Sequence, residues 1–71
     1  MDRLDLHGIR HEDAVGLTIR FIEDNWASGK EVEIITGHSI KMKDIVVGVL
    51  NEYHLEYSTG PALPHIKAHM E

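Results

Sequence analysis

Two segments with helical periodicity alternate with short segments of strand periodicity, and this alternation limits the possible folds more than any other feature. Apolar residues recur at helical spacing from Ala14 to Trp26 and again from Ile40 to Tyr53. Alternating or β-branched runs that are typical of strands occupy residues 4–7, 31–36, 55–58 and 65–70. The predicted order of elements is therefore β-α-β-α-β-β.

This order indicates how the layers are arranged. A strand–helix–strand connection joins parallel strands and is right-handed in nearly all cases. Since two helices cover only one face of a sheet this size, we predict an α/β two-layer sandwich. It has a mixed four-stranded sheet with two helices on one face, and its last two strands form a hairpin. The expected core contains Leu4, Leu6, Phe21, Ile22, Ile45, Val49 and Leu50.

The length and composition indicate one small domain. A chain of 71 residues allows a single unit over residues 1–71, and the absence of cysteine leaves a small core without a disulfide. The first residues lack the apolar run of a signal peptide, and no segment approaches the roughly 18 apolar residues that span a bilayer. We expect a soluble, cytoplasmic protein with no membrane partner.

The charge balance restricts the class of partner. Seven Lys and Arg residues stand against twelve Asp and Glu, a formal charge of −5. Because phosphate neutralisation needs clustered cations, any contact with nucleic acid must be local. Four acids are interpreted as solvated: Glu31, Glu33, Glu52 and Glu56. His65 and His69 share a strand face about 13 Å apart at ~3.3 Å per residue, too far to chelate one ion, so no metal site is predicted.

Polar residues follow the first two predicted strands, where a parallel pair ends at one edge of the sheet. Asp5, His7 and Gly8 lie at the first exit, and Thr36–Ser39 lie at the second. Both segments lead into helix N-termini, whose free N–H groups and dipole favour an anion such as phosphate. Ligands of open α/β sheets bind outside the carboxyl ends of the strands. The sequence therefore predicts a phosphate-binding edge.

Strand alternation places Asp5 and His7 on the same face. A carboxylate beside an imidazole favours general acid–base chemistry, and the carboxylate could alternatively hold a divalent metal. A structural alternative is that Asp5 makes a hydrogen bond that shapes the turn at Gly8. In the second loop, Ser39 is also a good helix N-cap residue.

The segment Leu4-Asp5-Leu6-His7-Gly8 matches the Leu-Asp-Leu-His-Gly signature that opens domains of the Smr (small MutS-related) family. The acidic start of the next helix, its Ala-Val and Phe-Ile pairs, the glycine turn and a strand ending in Ile-Ile extend this resemblance to Gly37. It implies a two-layer α/β sandwich similar to the C-terminal domain of translation initiation factor three. It also implies DNA nicking, RNA cleavage or a ribosome-associated role, with Asp5 and His7 as the catalytic or substrate-contacting pair.

The second motif of that family is commonly His-Gly-x-Gly with a basic third residue. This chain has Thr36-Gly37-His38-Ser39, in which only Gly37 matches, and the loop resembles a shortened form of a Thr-Gly variant. Lys41 and Lys43, just inside the second helix, could supply the missing positive charge. The predicted substrate-binding residues are Gly8, Arg10, Thr36, Gly37, His38, Ser39, Lys41 and Lys43.

Three functions remain open at this point. The first is a nucleic-acid endonuclease in which Asp5 and His7 act on a phosphodiester. The Gly37 amide and a nearby lysine would stabilise the developing charge. The second is a non-catalytic nucleic-acid- or ribosome-binding module, and the third is a protein-interaction adaptor, suggested by the acidic surface. The resemblance leaves open whether Mg²⁺ or Mn²⁺ serves as a cofactor.

Overall fold

A computed structural model describes residues 2–60 and 62–70 of the chain. Within them the elements are β1 (Arg3–Asp5), α1 (His11–Asn25), β2 (Glu31–Ile35), α2 (Ile40–Glu52), β3 (Tyr57–Ser58) and β4 (His65–His69). The predicted order β-α-β-α-β-β is confirmed, and the strands are one or two residues shorter than expected. The first strand ends at Asp5, so that His7 lies in the turn after it.

The four strands form one mixed sheet in the order β1-β2-β4-β3. β1 pairs parallel to β2, whereas β4 pairs antiparallel to both β2 and β3, which confirms the predicted hairpin. Ile35, the last residue of β2, lies opposite His65, the first residue of β4. Consequently β4 begins at the same edge of the sheet at which β1 and β2 end.

The helices cover one face of the sheet and enclose the core with it. Inward-facing residues alternate along the two central strands and meet buried residues of α1 and α2: Val32, Ile34, Ile66, Ala68, Ala14, Ile22, Val46 and Leu50. Leu6, Val49 and Leu50 also have their predicted core positions. Burial of this apolar surface is the main stabilising contribution that the chain can make.

Three predicted core residues are less buried than expected. Leu4, Phe21 and Ile45 are only partly buried and pack against the edge of the core. The buried stripe of α1 consists of Ala14, Thr18, Ile22 and Asn25. Phe21 lies at the border of this stripe. Of the two neighbouring residues predicted to be in the core, only Ile22 is fully buried. Truncating Phe21 should therefore destabilise the fold less than truncating Ile22.

Two polar side chains in the buried stripe of α1 bond to their own helix. The Thr18 hydroxyl donates to the Ala14 carbonyl at 2.7 Å, and the Asn25 amide donates to the Phe21 carbonyl at 2.9 Å. These bonds satisfy donors that would otherwise be costly to bury. The helix can thus carry polar residues on its inward face without a partner from another element.

Glu33, on the open face of the sheet, is not the solvated residue that the sequence predicts, because its side chain is only 15% exposed. Its carboxylate lies 2.9 Å from Arg3 Nε and 3.9 Å from His65 Nδ1. The register explains this, since Glu33 on β2 lies between Arg3 on β1 and Lys67 on β4. Such cross-strand pairs of opposite charge stabilise a sheet.

No helix among the described residues is both long enough and apolar enough to cross a bilayer.

Candidate nucleic-acid interface

The loop after β1 is a tight turn formed by the first motif. The Ile9 N–H donates to the Leu6 carbonyl at 3.0 Å, and Gly8 adopts a φ of +82°. That left-handed conformation is disfavoured for residues with a Cβ, which accounts for glycine at this position. The Asp5 carboxylate accepts a 2.9 Å hydrogen bond from the His7 backbone N–H. Asp5 therefore helps to shape the turn that carries His7.

Asp5 and His7 are both exposed, but their side chains do not form the expected pair. Within residues 2–60 and 62–70, no ion pair or hydrogen bond joins the carboxylate to the imidazole. The carboxylate contacts the main chain of His7 instead, as in the structural alternative. The physical reason is that β1 ends at Asp5, so strand alternation no longer determines the direction of the His7 side chain.

The loop after β2 is held by the residue that precedes β4. The backbone N–H groups of Thr36 and Gly37 both donate to the Pro64 carbonyl at 2.9 Å. The Thr36 hydroxyl, which is mostly buried, donates to the Gly37 carbonyl at 3.0 Å. The expectation that the Gly37 amide is available to a developing negative charge is therefore wrong for this conformation. The sequence did not reveal that β4 lies beside β2.

The two loops meet at His7 and Gly37, as the parallel pairing predicts. A Cβ placed on Gly37 would lie 3.7 Å from Cδ2 of the His7 imidazole, and Gly37 has a φ of +66°. The left-handed backbone accounts for glycine at this position, since a Cβ there would make only an ordinary contact with the ring. His38 follows directly and is exposed. Each of the two neighbouring loops at this edge therefore carries an exposed histidine, His7 on the first and His38 on the second.

The two helix N-termini at this edge differ in electrostatic character. At α1, Arg10 occupies the N-cap position without a side-chain cap, and Glu12 and Asp13 lie in the first turn. At α2, the Ser39 hydroxyl accepts from the Met42 N–H at 3.1 Å, and the first turn contains no acid. Since acids neutralise the positive end of a helix dipole, the start of α2 is more favourable for an anion.

Arg10 and Lys41 lie together at this edge. They line one shallow depression between the starts of the two helices, with Ile9, His11 and Glu12. The Arg10 guanidinium pairs with Glu12 at 3.1 Å, and both side chains are largely exposed. Exposed pairs of this kind contribute little to stability, so a phosphate could displace Glu12 at small cost.

Lys43 does not join the other two cations. Its ammonium donates to the Gly60 carbonyl at 3.1 Å, between β3 and β4. Of the two lysines expected to supply the missing positive charge, Lys43 therefore lies away from the loop after β1, since β1 and β3 are the outermost strands of the sheet. The helical position of Lys43 turns it away from the side of α2 that faces α1.

His65, which its distance from His69 excludes as half of a chelating pair, lies at the same edge of the sheet. It is half-buried, and it follows Pro64, which holds the second loop. In the register of the sheet, His65 lies opposite Ile35, which lies opposite Asp5 on its other side. Sequence spacing could not indicate this, because the pairing of β4 with β2 is a long-range choice. Among the described residues, no three His, Asp or Glu side chains cluster closely enough to hold a metal ion.

Comparison of the sequence with models of protein families matches nearly the whole chain to one family. The model of the Smr domain matches residues 4–70, a span that contains both loops and every predicted site residue. Searches of curated proteins and of solved structures returned no match. The Smr match supports a nucleic-acid-related function, in agreement with the local cations at the edge. The chain belongs to the Smr domain family.

Proposed function

We propose that this Smr domain binds nucleic acid at the edge where β1 and β2 end, with Arg10 and Lys41 contacting phosphates. The observation that carries this proposal is that both cations line one depression between the two helix starts. The Met42 N–H is capped by Ser39, which leaves the amides of Ile40 and Lys41 at the start of α2 as donors for a phosphate oxygen. Such a local site is compatible with a chain whose formal charge is −5.

Binding is better supported by the geometry than cleavage is. Two groups that a cleavage mechanism would use already have partners inside the protein. The Asp5 carboxylate bonds to the His7 N–H, and the Gly37 amide bonds to the Pro64 carbonyl. Arg10 and Lys41, by contrast, lie at an accessible edge. The primary function we infer is that of a nucleic-acid-binding module.

An endonuclease is the second candidate function, and the exposed His7 imidazole favours it. This ring lies beside Gly37 and is not engaged by Asp5 within the described residues. It could therefore transfer a proton to or from a phosphodiester, while Asp5 positions it through the turn and Lys41 offsets negative charge. Catalytic contacts often tighten only when substrate binds, so a loosely held imidazole is compatible with this role.

Charge reversal tests the binding site directly. Fluorescence anisotropy with labelled single-stranded RNA, single-stranded DNA and duplex DNA would compare Arg10→Glu/Lys41→Glu with the wild type. We expect a loss of affinity of roughly tenfold or more, since two phosphate contacts become repulsive. The matched control is Arg20→Glu/Lys30→Glu, which changes the net charge equally at exposed positions outside the depression. Equal weakening by both double variants would contradict this interface.

A cleavage assay separates the two candidate functions. The purified domain would be incubated with the same oligonucleotides in Mg²⁺, in Mn²⁺ and in chelator. Products that are lost in His7→Ala would support the endonuclease. Binding without products under all three conditions would exclude the endonuclease and support the binding module.

A further inference from the structure

A groove runs along the outer surface of the helical layer, between α1 and α2. Its apolar lining comes from both helices: Val15, Ile19, Ile45, Val49 and Tyr53. The helices start together at the edge that holds Arg10 and Lys41, and their other ends meet where Trp26 packs against Tyr53. One end of the groove therefore lies beside the proposed nucleic-acid interface.

The groove leaves apolar surface exposed that the fold itself does not cover. Val15 is 42% exposed in the middle of α1, and Trp26 is 50% exposed just beyond its end. The ring centroids of Trp26 and Tyr53 are 5.7 Å apart with the planes tilted by 57°, so the exposed Trp26 adjoins the Tyr53 end of the groove. Contiguous apolar surface bordered by polar residues is typical of a binding site.

Gly48 lies in the lining, and the internal packing of the chain does not require it. A Cβ added there would meet nothing within 4 Å. Glycine in a helix interior is less favourable than alanine, so its presence at an open position does not stabilise α2. The absence of a side chain at Gly48 leaves the floor of the groove open, so that another backbone could approach closely.

The rim of the groove is acidic. Asp44 and Glu52 lie along its α2 side, and Glu23 follows Ile19 by one turn on α1. All three carboxylates are exposed. None of them forms an ion pair within residues 2–60 and 62–70. This rim determines which occupants are electrostatically compatible with the apolar floor.

We propose that the groove binds a basic amphipathic helix of another protein. A second copy of this chain presenting the same face would bring the same acids together, and like charges across an interface are costly. Nucleic acid and an anionic membrane surface would meet the same repulsion. A helix with apolar residues on one face and Lys or Arg beside them satisfies both the floor and the rim.

The dimensions suit a short helical segment. The lining on α2 extends from Asp44 to Tyr53, which corresponds to about 14 Å at ~1.5 Å per residue. A partner helix of about three turns would fill this length. Because the groove ends near Arg10 and Lys41, a partner seated there would lie next to nucleic acid bound at the edge. The inference does not depend on that binding.

A designed probe tests the groove. It is a synthetic helix of on the order of 14 residues, which is about three turns to fill the groove and one turn beyond its end. It has Leu at i, i+3, i+4 and i+7 and Lys at the remaining positions. One control peptide scrambles the same residues so that no apolar face forms, and the other replaces Lys by Glu. Trp26, the one tryptophan of the chain, reports binding by fluorescence, and amide chemical shifts locate it. We expect binding of the first peptide only, with shifts confined to the groove.

Two pairs of variants test which residues bind the probe. Gly48→Arg places a large cation in the groove at an open position, and Gly16→Arg makes the same change at an open helical position outside it. We expect Gly48→Arg to weaken binding by roughly tenfold or more and Gly16→Arg to leave it unchanged. Asp44→Lys/Glu52→Lys should weaken binding, whereas Asp24→Lys/Glu56→Lys, with an equal charge change, should not.

The opposite results would overturn the proposal. They are no binding of the amphipathic peptide at millimolar concentration, equal binding of the scrambled peptide, or shifts that map elsewhere on the domain. Equal losses in the paired variants would show a nonspecific charge effect. Sedimentation that reveals a dimer dissociated by Gly48→Arg would assign the groove to a second copy, and groove shifts induced by an oligonucleotide alone would assign it to nucleic acid.

Discussion

The two loops that leave β1 and β2 meet at one edge but are built in different ways. The loop after β1 carries the complete Leu-Asp-Leu-His-Gly motif. The bonds of its turn are local, within residues 5–9, and the Leu6 N–H also donates to the Ile35 carbonyl of β2 at 2.8 Å. The loop after β2 departs from the family motif and is held by Pro64, which is distant in the sequence. The first loop leads to a helix with no side-chain cap and an acidic first turn, whereas the second leads to a capped helix with Lys41.

In the proposed function, the His7 imidazole lies on the first loop and the more favourable helix start, with Lys41, follows the second, while Arg10 at the end of the first loop completes the anion site. The exposed imidazole of His7 belongs to the first loop, where two acids weaken the attraction for phosphate. The favourable dipole and Lys41 belong to the second. A substrate must therefore contact both loops before any reaction at His7 could occur, whereas the second loop with Arg10 could suffice for binding.

The largest expected effect concerns His7. If the wild type cleaves nucleic acid, His7→Ala should lower the rate by about 10²–10⁴-fold, since a general acid or base is removed. The rate would be measured in single-turnover assays, with circular dichroism to confirm folding. His38→Ala is the control on the second loop and should have a smaller effect. Equal losses would show that the two loops share the chemistry.

The next effect concerns the cap of α2. Ser39→Ala removes the acceptor for the Met42 N–H and should lower the free energy of unfolding by about 0.5–2 kcal/mol. Urea denaturation measures this change. Ser39→Asp preserves a capping oxygen and should retain most of the stability. If Ser39→Ala were neutral, the second loop would not owe its stability to a local cap.

Asp5 should show a similar or smaller effect on stability. Asp5→Ala removes the acceptor for the His7 N–H and should destabilise the domain by about 0.5–1.5 kcal/mol. Asp5→Asn keeps an oxygen at that position and should be close to the wild type in urea denaturation. A loss of cleavage in Asp5→Asn with unchanged stability would instead show that the carboxylate charge takes part in the reaction.

The smallest effect is a gain at the start of α1. Arg10 has the extended backbone of an N-cap residue, with φ −66° and ψ 144°, but provides no cap. Arg10→Ser should therefore raise the free energy of unfolding by about 0.5–1 kcal/mol, while nucleic-acid affinity falls. Arg10→Ala should lower affinity without the gain. Unchanged affinity in both variants would remove Arg10 from the proposed interface.

Much of the fold followed from periodicity because periodicity reports local geometry. The helical spacing and the strand alternation predicted the order of the six elements, the parallel pairing of β1 with β2 and the final hairpin. The same reasoning brought His7 and Gly37 to one edge, where a Cβ at position 37 would lie 3.7 Å from the His7 ring. It was less accurate for Phe21, because an apolar residue at the border of a helix face has the same spacing pattern as one at its centre.

The sequence by itself determined the elements, the family motif and the convergence of the two loops, since these depend on local conformation and on the geometry of a parallel pair. Only the tertiary structure decided that β4 lies between β2 and β3. That long-range pairing engages the Gly37 amide with Pro64 and encloses Glu33 between Arg3 and His65. Strand pairing depends on the packing of the whole sheet, which no local pattern specifies.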